Sequence, residues 1–450
     1  MIYKKSFGYA DFENKKLNND STEFQLASVS KTFTAVAVMQ LYEKGRLKLD
    51  DTFAKYFPEF PYKEMTLRQI LSHSSGLSDQ DLAGVIENYF KKHNGKALSN
   101  SELISMLAEA KVKLKLEPGQ KWWYSNTGFQ LLAALVEKIS CESFDKYLYK
   151  HIFKPSGMEH TYLRTAYINN FDTPNLAGNY DYEFRYSTAR IKFDGDRSYY
   201  NEMFYGHSNV ISTCSDLLKF DNALYTGKLL KNKTLNEAFT PARLKDGTKD
   251  FVWKNLGAMG NADDGLGWFI FEDTTAGKIV WHTGGMPGCA TILLRNTGRH
   301  QMVVLLDNTS SEGLYRSALS GMNILNGKPI LPSKRSLAKI YGKALMSRDA
   351  DYAFSLLQQY RSDTVNYNFS ENDMNNLGYD FLSAKCYSQA LETFKINTLL
   401  YPESDNAFNS YAEALNLAGK KEEAVLMYKK SLVINPGNED SIKALKQLLN

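Results

Sequence analysis

The chain has 450 residues, with 54 basic and 50 acidic side chains, a net charge of +4, 43% hydrophobic and 23% charged residues. This composition fits a globular protein of two or three domains with a sizeable core. It excludes a nucleic-acid partner, because no long Lys/Arg run tracks a phosphate backbone, and it excludes a helical membrane span, because no run reaches the ~18 apolar residues that a bilayer needs.

The four cysteines, Cys141, Cys214, Cys289 and Cys386, lie far apart, and the seven histidines show no ligand spacing, so neither a metal nor another cofactor is expected. The opening MIYKKSFGYADF lacks the apolar core of a signal peptide. A periplasmic or cell-envelope location is expected if a longer precursor carries an export signal, and a cytoplasmic one otherwise. IYKKSFGYA reads as the second strand of a hairpin whose first strand precedes Met1.

The next stretch, FQLASVSKTFTAVAVMQLY at 24–42, is apolar on nearly every face, the pattern of a helix buried on all sides. Lys31 stands at its mouth. A buried ammonium without a partner costs several kcal/mol on an order-of-magnitude basis, so this lysine requires a route to water or a task. Ser28 lies three residues before it, which at a helix start places both side chains on one face. Desolvation lowers a lysine pKa, and an amine that releases its proton readily activates a hydroxyl. S-x-x-K also occurs at Ser143 to Lys146 and at Ser336 to Lys339, in ordinary amphipathic contexts.

ILSHSSGL at 70–77 reads as a helix end with Gly76 as its cap. In EPGQKWWYSNTGFQLLAALVEKI, Tyr124 and Asn126 fall in a turn directly before a long apolar helix. The plain alternative is that Asn126 caps this helix and Tyr124 packs beside Trp122 and Trp123. Y-x-N recurs at Tyr167 to Asn169 and Tyr199 to Asn201 without such a helix. Ser215-Asp216 reads as a helix start. KIVWHTGGMPGCATILLRN at 278–296 reads strand, turn, strand, and its His282-Thr283-Gly284-Gly285 lets a backbone approach a ligand closely.

After GKPILPSKR the chain reads as helical throughout, which divides it into residues 1–328 and 329–450. Ala390, Phe394 and Pro402 recur as Ala424, Tyr428 and Pro436, each shifted by 34 residues, the period of tetratricopeptide helix pairs. Leu377, Gly378 and Phe381 fit the first unit of that consensus, and Phe408, Tyr411 and Leu415 fill the second. Such a region braces its neighbour or binds a protein partner.

The order S-x-x-K, Y-x-N, H-T-G resembles that of the serine β-lactamase and penicillin-binding-protein superfamily, in its class C-like branch of esterases, D-amino-acid peptidases and penicillin-binding-like proteins. The resemblance covers about residues 1–325 and is supported by GHSNVISTCSDLLKF at 206–220 and GLGW at 265–268. It implies an α+β fold of the β-lactamase/transpeptidase type, an antiparallel sheet flanked by helices with a helical subdomain, followed here by the all-α tetratricopeptide-like domain.

The resemblance further implies an acyl-enzyme on Ser28, with Lys31 and Tyr124 as the base. Asn126 would hold the substrate, Thr283, Gly284 and Gly285 would line the strand beside it, and the N–H groups of Ser28 and Gly285 would form the oxyanion hole. Small esters or D-amino-acid amide and peptide bonds are the expected substrates. The alternatives are a β-lactamase or D-Ala-D-Ala carboxypeptidase proper, and a catalytically silent adaptor. His282 stands where many relatives carry lysine, which implies carboxylate recognition that fades as the imidazolium is lost near pH ~6.5.

Overall fold

The computed structural model describes residues 3–92, 99–164, 173–182, 190–193, 204–249, 252, 261–271, 277–311 and 313–449. Two compact units emerge: Met1–Tyr180 with Lys192–Leu331, and Asp181–Ile191 with Pro332–Asn450. The main part of the second unit therefore begins at Pro332.

The frame of the first unit is a five-stranded antiparallel sheet in the order Gln301–Asp307, Cys289–Asn296, Ile279–Met286, Phe269–Phe271, Ala262–Asp264. Cys289–Asn296 is buried along its whole length, so both faces of its apolar ATILL run are covered. The two-residue period of a strand sorts them: Ile292 and Leu294 join a cluster with Ala318 and Met322 of the Leu314–Leu325 helix, whereas Leu293 joins the large core built around the Ser30–Glu43 helix. His282 pairs with Leu293 and Gly284 with Thr291, so both lie on the face turned to the Ser30–Glu43 helix.

The Ser30–Glu43 helix is buried from Ser30 through Leu41, as its all-round apolar pattern predicts. It packs against the Asn126–Ser140 helix, whose own buried face runs from Thr127 to Ile139. A three-stranded sheet, Phe24–Gln25, Val210–Ser212 and Tyr162–Leu163 with the second in the middle, feeds the chain into the mouth of the helix.

Three local expectations change. Residues 3–8 form no strand, and Tyr9–Asp11 instead pairs with Lys16–Leu17 in a two-stranded ribbon, so the described part of IYKKSFGYA is not one continuous strand. The Leu67–Leu71 helix is ended by His73, the first left-handed residue after it at φ +54°, and Gly76, at φ +80°, turns the chain again three residues later. His282 to Gly285 lie within the Ile279–Met286 strand, and the turn falls after Met286.

The second unit is built from seven consecutive helices, Leu337–Ser347, Ala350–Tyr360, Glu371–Ser383, Tyr387–Leu400, Asp405–Leu417, Lys421–Ile434 and Glu439–Leu449, most of them packed on the next in sequence. Arg335–Ser336 and Tyr367–Asn368 add a short parallel pair. Buried positions repeat with the 34-residue period: Ala390 and Ala424, Phe394 and Tyr428, Phe381 and Leu415. Gly378 is required by this packing, since a Cβ there would sit 2.4 Å from the Phe394 ring.

Candidate active site

Ser28 sits in a single 3₁₀ turn, Ala27–Val29, immediately before the Ser30–Glu43 helix, and Ala27 holds a left-handed φ of +46°. Such a backbone costs about 1–2 kcal/mol for an L-residue and re-aims the chain, so that Ser28 is partly exposed between buried Ala27 and Val29. One turn later Lys31 is completely buried, yet its ammonium is fully provided for. Nζ donates to Ser28 Oγ at 3.1 Å, to Asn126 Oδ1 at 2.7 Å and to the His207 carbonyl at 3.0 Å.

Three donors thus meet three acceptors. Burial still opposes the charge and pushes the Lys31 pKa down to about 7, with the Asp79 carboxylate pulling weakly the other way. The amine therefore exchanges its proton readily at neutral pH while touching the Ser28 oxygen.

The Tyr124 ring lies 4.9 Å from Lys31 Nζ, and the nearby Ser28 hydroxyl eases the phenol pKa downward. Burial, together with the Asp79 and Asp264 carboxylates, raises its pKa above the ordinary value, so the phenol keeps its proton at neutral pH. The raised pKa favours the phenol form, in which Tyr124 relays or donates a proton. The Trp122 indole lies beside the Tyr124 ring and donates through Nε1 to Asp264 Oδ2 at 2.8 Å.

Asn126 does not cap its helix. Ser125 does, accepting from the Gly128 N–H at 3.2 Å, which leaves the Asn126 amide free to meet Lys31. The start of this helix is clamped by Asp79, whose carboxylate accepts from the Asn126 N–H at 2.8 Å, the Thr127 N–H at 3.0 Å and the hydroxyls of Ser125 and Thr127. Sequence reasoning passed over Asp79; the cue was an acidic residue at the first position of its own helix, which by itself marks only a helix start.

His282 is 1% exposed, and its Nδ1 lies 2.6 Å from the Thr283 carbonyl. A carbonyl only accepts, so Nδ1 carries the hydrogen and Nε2 presents a lone pair. The ring stacks on Phe269 at 4.7 Å. Burial and the nearby Lys31 push the His282 pKa down to about 3, so the ring is neutral throughout the physiological range and does not titrate near 6.5 as expected from sequence.

Thr283 is partly exposed on the strand and Gly285 is exposed. Gly284 makes the closest approach, because a Cβ there would lie 2.2 Å from the Leu26 carbonyl and 2.3 Å from Thr291 Oγ1. Glycine is therefore what lets the strand press against the turn that carries Ser28. Tyr315, absent from the sequence reading, donates to the Gly284 carbonyl at 3.0 Å.

The other S-x-x-K copies have structural roles at helix starts: Ser143 is the N-cap of the Phe144–Leu148 helix, and Ser336 caps its helix by accepting from the Lys339 N–H at 3.2 Å. Tyr167 to Asn169 and Tyr199 to Asn201 lie outside the described residues. No group of three or more His, Cys, Asp or Glu side chains among the described residues is placed to hold a metal ion.

An antiparallel sheet faced by helices, with a serine hydrogen-bonded to a lysine and a tyrosine ring beside them at a buried helix mouth, defines a hydrolase of the penicillin-binding-protein and β-lactamase type. The Beta-lactamase family model matches residues 1–319, and the chain belongs to that family. It is 31% identical over 334 residues to Penicillin-binding protein 4* of Bacillus subtilis (strain 168), covering 73% of this chain and 70% of that protein. Its fold is similar to that of EstCE1, a hydrolase with promiscuous acyltransferase activity (TM-score 0.54, 22% identity, 72% of this chain and 88% of the other). It is also similar to D-amino acid amidase from Ochrobactrum anthropi SV3 (TM-score 0.51, 24% identity, 67% and 81%).

Proposed function

We propose that the chain is a serine hydrolase that works through an acyl-enzyme on Ser28 and cleaves small esters or D-amino-acid amide bonds. The observation that carries this reading is the 3.1 Å contact between Ser28 Oγ and a lysine whose pKa burial has brought to about 7. In its neutral form Lys31 takes the Ser28 proton as Oγ attacks the substrate carbonyl. Tyr124, protonated beside Ser28, passes a proton to the leaving group and is reprotonated by the Lys31 ammonium; in the second half, the again neutral Lys31 takes a proton from the water that attacks the acyl carbonyl and delivers it to Ser28 Oγ as the acyl bond breaks.

Asn126 both accepts from Lys31 and is the candidate for holding the substrate's acyl side. The N–H groups of Ser28 and Gly285 are the candidates for the oxyanion hole, a device worth about 3–4 kcal/mol per donor in other enzymes. Thr283 and Gly284 form the strand edge along which substrate lies. Ester over carboxylate-bearing peptide is favoured by the neutrality of His282, which offers a lone pair where a cation would be needed. A β-lactamase or D-Ala-D-Ala carboxypeptidase proper is the second reading, and a catalytically silent adaptor fits poorly with a complete proton network.

The second unit is read as a tetratricopeptide-like array from its 34-residue recurrence of buried small and aromatic positions; it is a candidate surface for a protein partner. The hydrolase reading is tested by turnover of p-nitrophenyl acetate in the intact chain and in Ser28→Ala. Loss of turnover in the variant is expected, and unchanged turnover would remove Ser28 from the mechanism.

A further inference from the structure

We propose that His73 is a positioning residue for Tyr124, a template that fixes the phenol against Ser28 by gripping three successive residues at once. The proposal rests on the reading of Tyr124 as part of the proton network. Its carbonyl accepts from the Trp123 N–H at 2.6 Å. Its Nδ1 accepts from the Ser125 N–H at 3.1 Å. Between these two holds, the imidazole face stacks on the Tyr124 ring, with centroids 4.3 Å apart and planes at 28°.

A peptide N–H can only donate, so Nδ1 is unprotonated and the hydrogen resides on Nε2. That Nε2 is buried and has no hydrogen-bond partner among the described residues. The backbone carries a cost, since His73 stands at φ +54°, a region in which residues with a Cβ are uncommon. Such a cost at a fully buried residue marks a position held for something other than stability.

A smaller residue that suits the left-handed region, such as asparagine, would accept from Ser125 without burying a ring. What the histidine adds is the flat face on Tyr124. Asp79 secures the next residues, Asn126 and Thr127, so the segment is held on both sides of the tyrosine while its ring is pinned from one face. Hydrogen bonds fix where the tyrosine backbone runs, and the stack limits where its ring can swing. Misplacing a reacting group by ~1 Å costs on the order of 100-fold in rate.

The test is a double-mutant cycle on the intact chain, reading the rate at which a fluorophosphonate labels Ser28 in wild type, His73→Asn, Tyr124→Phe and the double variant. Asparagine tolerates the left-handed backbone and keeps an acceptor for the Ser125 N–H, but it has no ring face. His73→Asn should slow labelling roughly 10- to 100-fold when Tyr124 is present and by less than about threefold in the Tyr124→Phe background, where no hydroxyl remains to be placed. Equal slowing in both backgrounds, or none in wild type, would overturn the proposal. If His73→Asn does not fold, His73→Gln takes its place in the cycle. Failure of both to fold would show a role in the fold rather than in placing Tyr124, and would overturn it too. Labelling in wild type that maps away from Ser28 would instead refute the hydrolase reading, and is seen before any variant is compared.

Discussion

Lys31 Nζ donates to Asn126 Oδ1 at 2.7 Å, joining two residues 95 positions apart into one proton network. The same ammonium reaches Ser28 Oγ, so the nucleophile, its base and the first residue of a second helix share a single charge. That sharing lets a lysine with no exposed surface stay in the core, and it makes the protonation state of the site depend on pH in a definite way.

With the Lys31 pKa near 7, kcat/KM for a neutral ester should rise through about pH 7 and level off above it, as the amine becomes neutral. The Asp79 carboxylate raises that pKa, so Asp79→Asn should move the rising limb to lower pH. Because the groups titrate together, the limb belongs to the network rather than to lysine alone. Profiles of wild type and Asp79→Asn from pH 5 to 9 check this, and a shift toward higher pH would contradict it.

His282 is neutral across this range, so the preference between two substrates differing only in a free carboxylate should not change between pH 5 and 8. His282→Lys should raise the preference for the carboxylate roughly 10- to 100-fold, the equivalent of a charge-assisted hydrogen bond of about 1.5–3 kcal/mol. The readout is the ratio of kcat/KM for the pair in both proteins. A wild-type ratio that falls as pH rises through ~6.5 would show a charged imidazole instead.

Gly284→Ala should reduce both stability and activity. Its Cβ would meet the Leu26 carbonyl and Thr291 Oγ1, and the former is backbone two residues before Ser28, so relief requires the nucleophile turn to move. Overpacking of this kind costs typically 1–3 kcal/mol. Denaturant unfolding and ester turnover measure the two effects, and an active variant of wild-type stability would show that the strand and the turn are not in contact.

Much of the site could be read from the chain because its parts are local. Ser28 and Lys31 are one helical turn apart, and Tyr124 and Asn126 are two residues apart before a helix, so spacing alone groups them. The 34-residue recurrence in the second unit is likewise a one-dimensional signal. Asp79 and His73 escaped because each acts by reaching across the fold to residues 122–127, and neither spacing nor residue type announces that. The charge on His282 was misjudged for the same reason, since its pKa is set by burial against Phe269 and by Lys31, which approach only in three dimensions.

Three buried histidines make the fold sensitive to acid. Burial and the Lys31 charge lower the pKa of His73, His207 and His282 below the ordinary value. At these three sites the unfolded chain therefore binds more protons than the folded one below pH ~6.5, and the histidines' contribution to stability, level above that pH, falls as pH drops. Each histidine contributes a slope of up to about 1.4 kcal/mol per pH unit. His282→Asn should remove one such contribution between pH 6 and 4, seen as a shallower loss of unfolding free energy than in wild type. A steeper loss in the variant would contradict the assigned neutral state.

The central claim is that Ser28 is the nucleophile and Lys31 its base. The most direct measurement is fluorophosphonate labelling of the intact chain, with the modified residue located by peptide mapping, in wild type, Ser28→Ala and Lys31→Met. The account predicts a single adduct on Ser28, none in Ser28→Ala, and labelling slowed by at least about 100-fold in the folded Lys31→Met protein, the scale of losing a general base. An adduct that persists in Ser28→Ala, or full-rate labelling without Lys31, would contradict it.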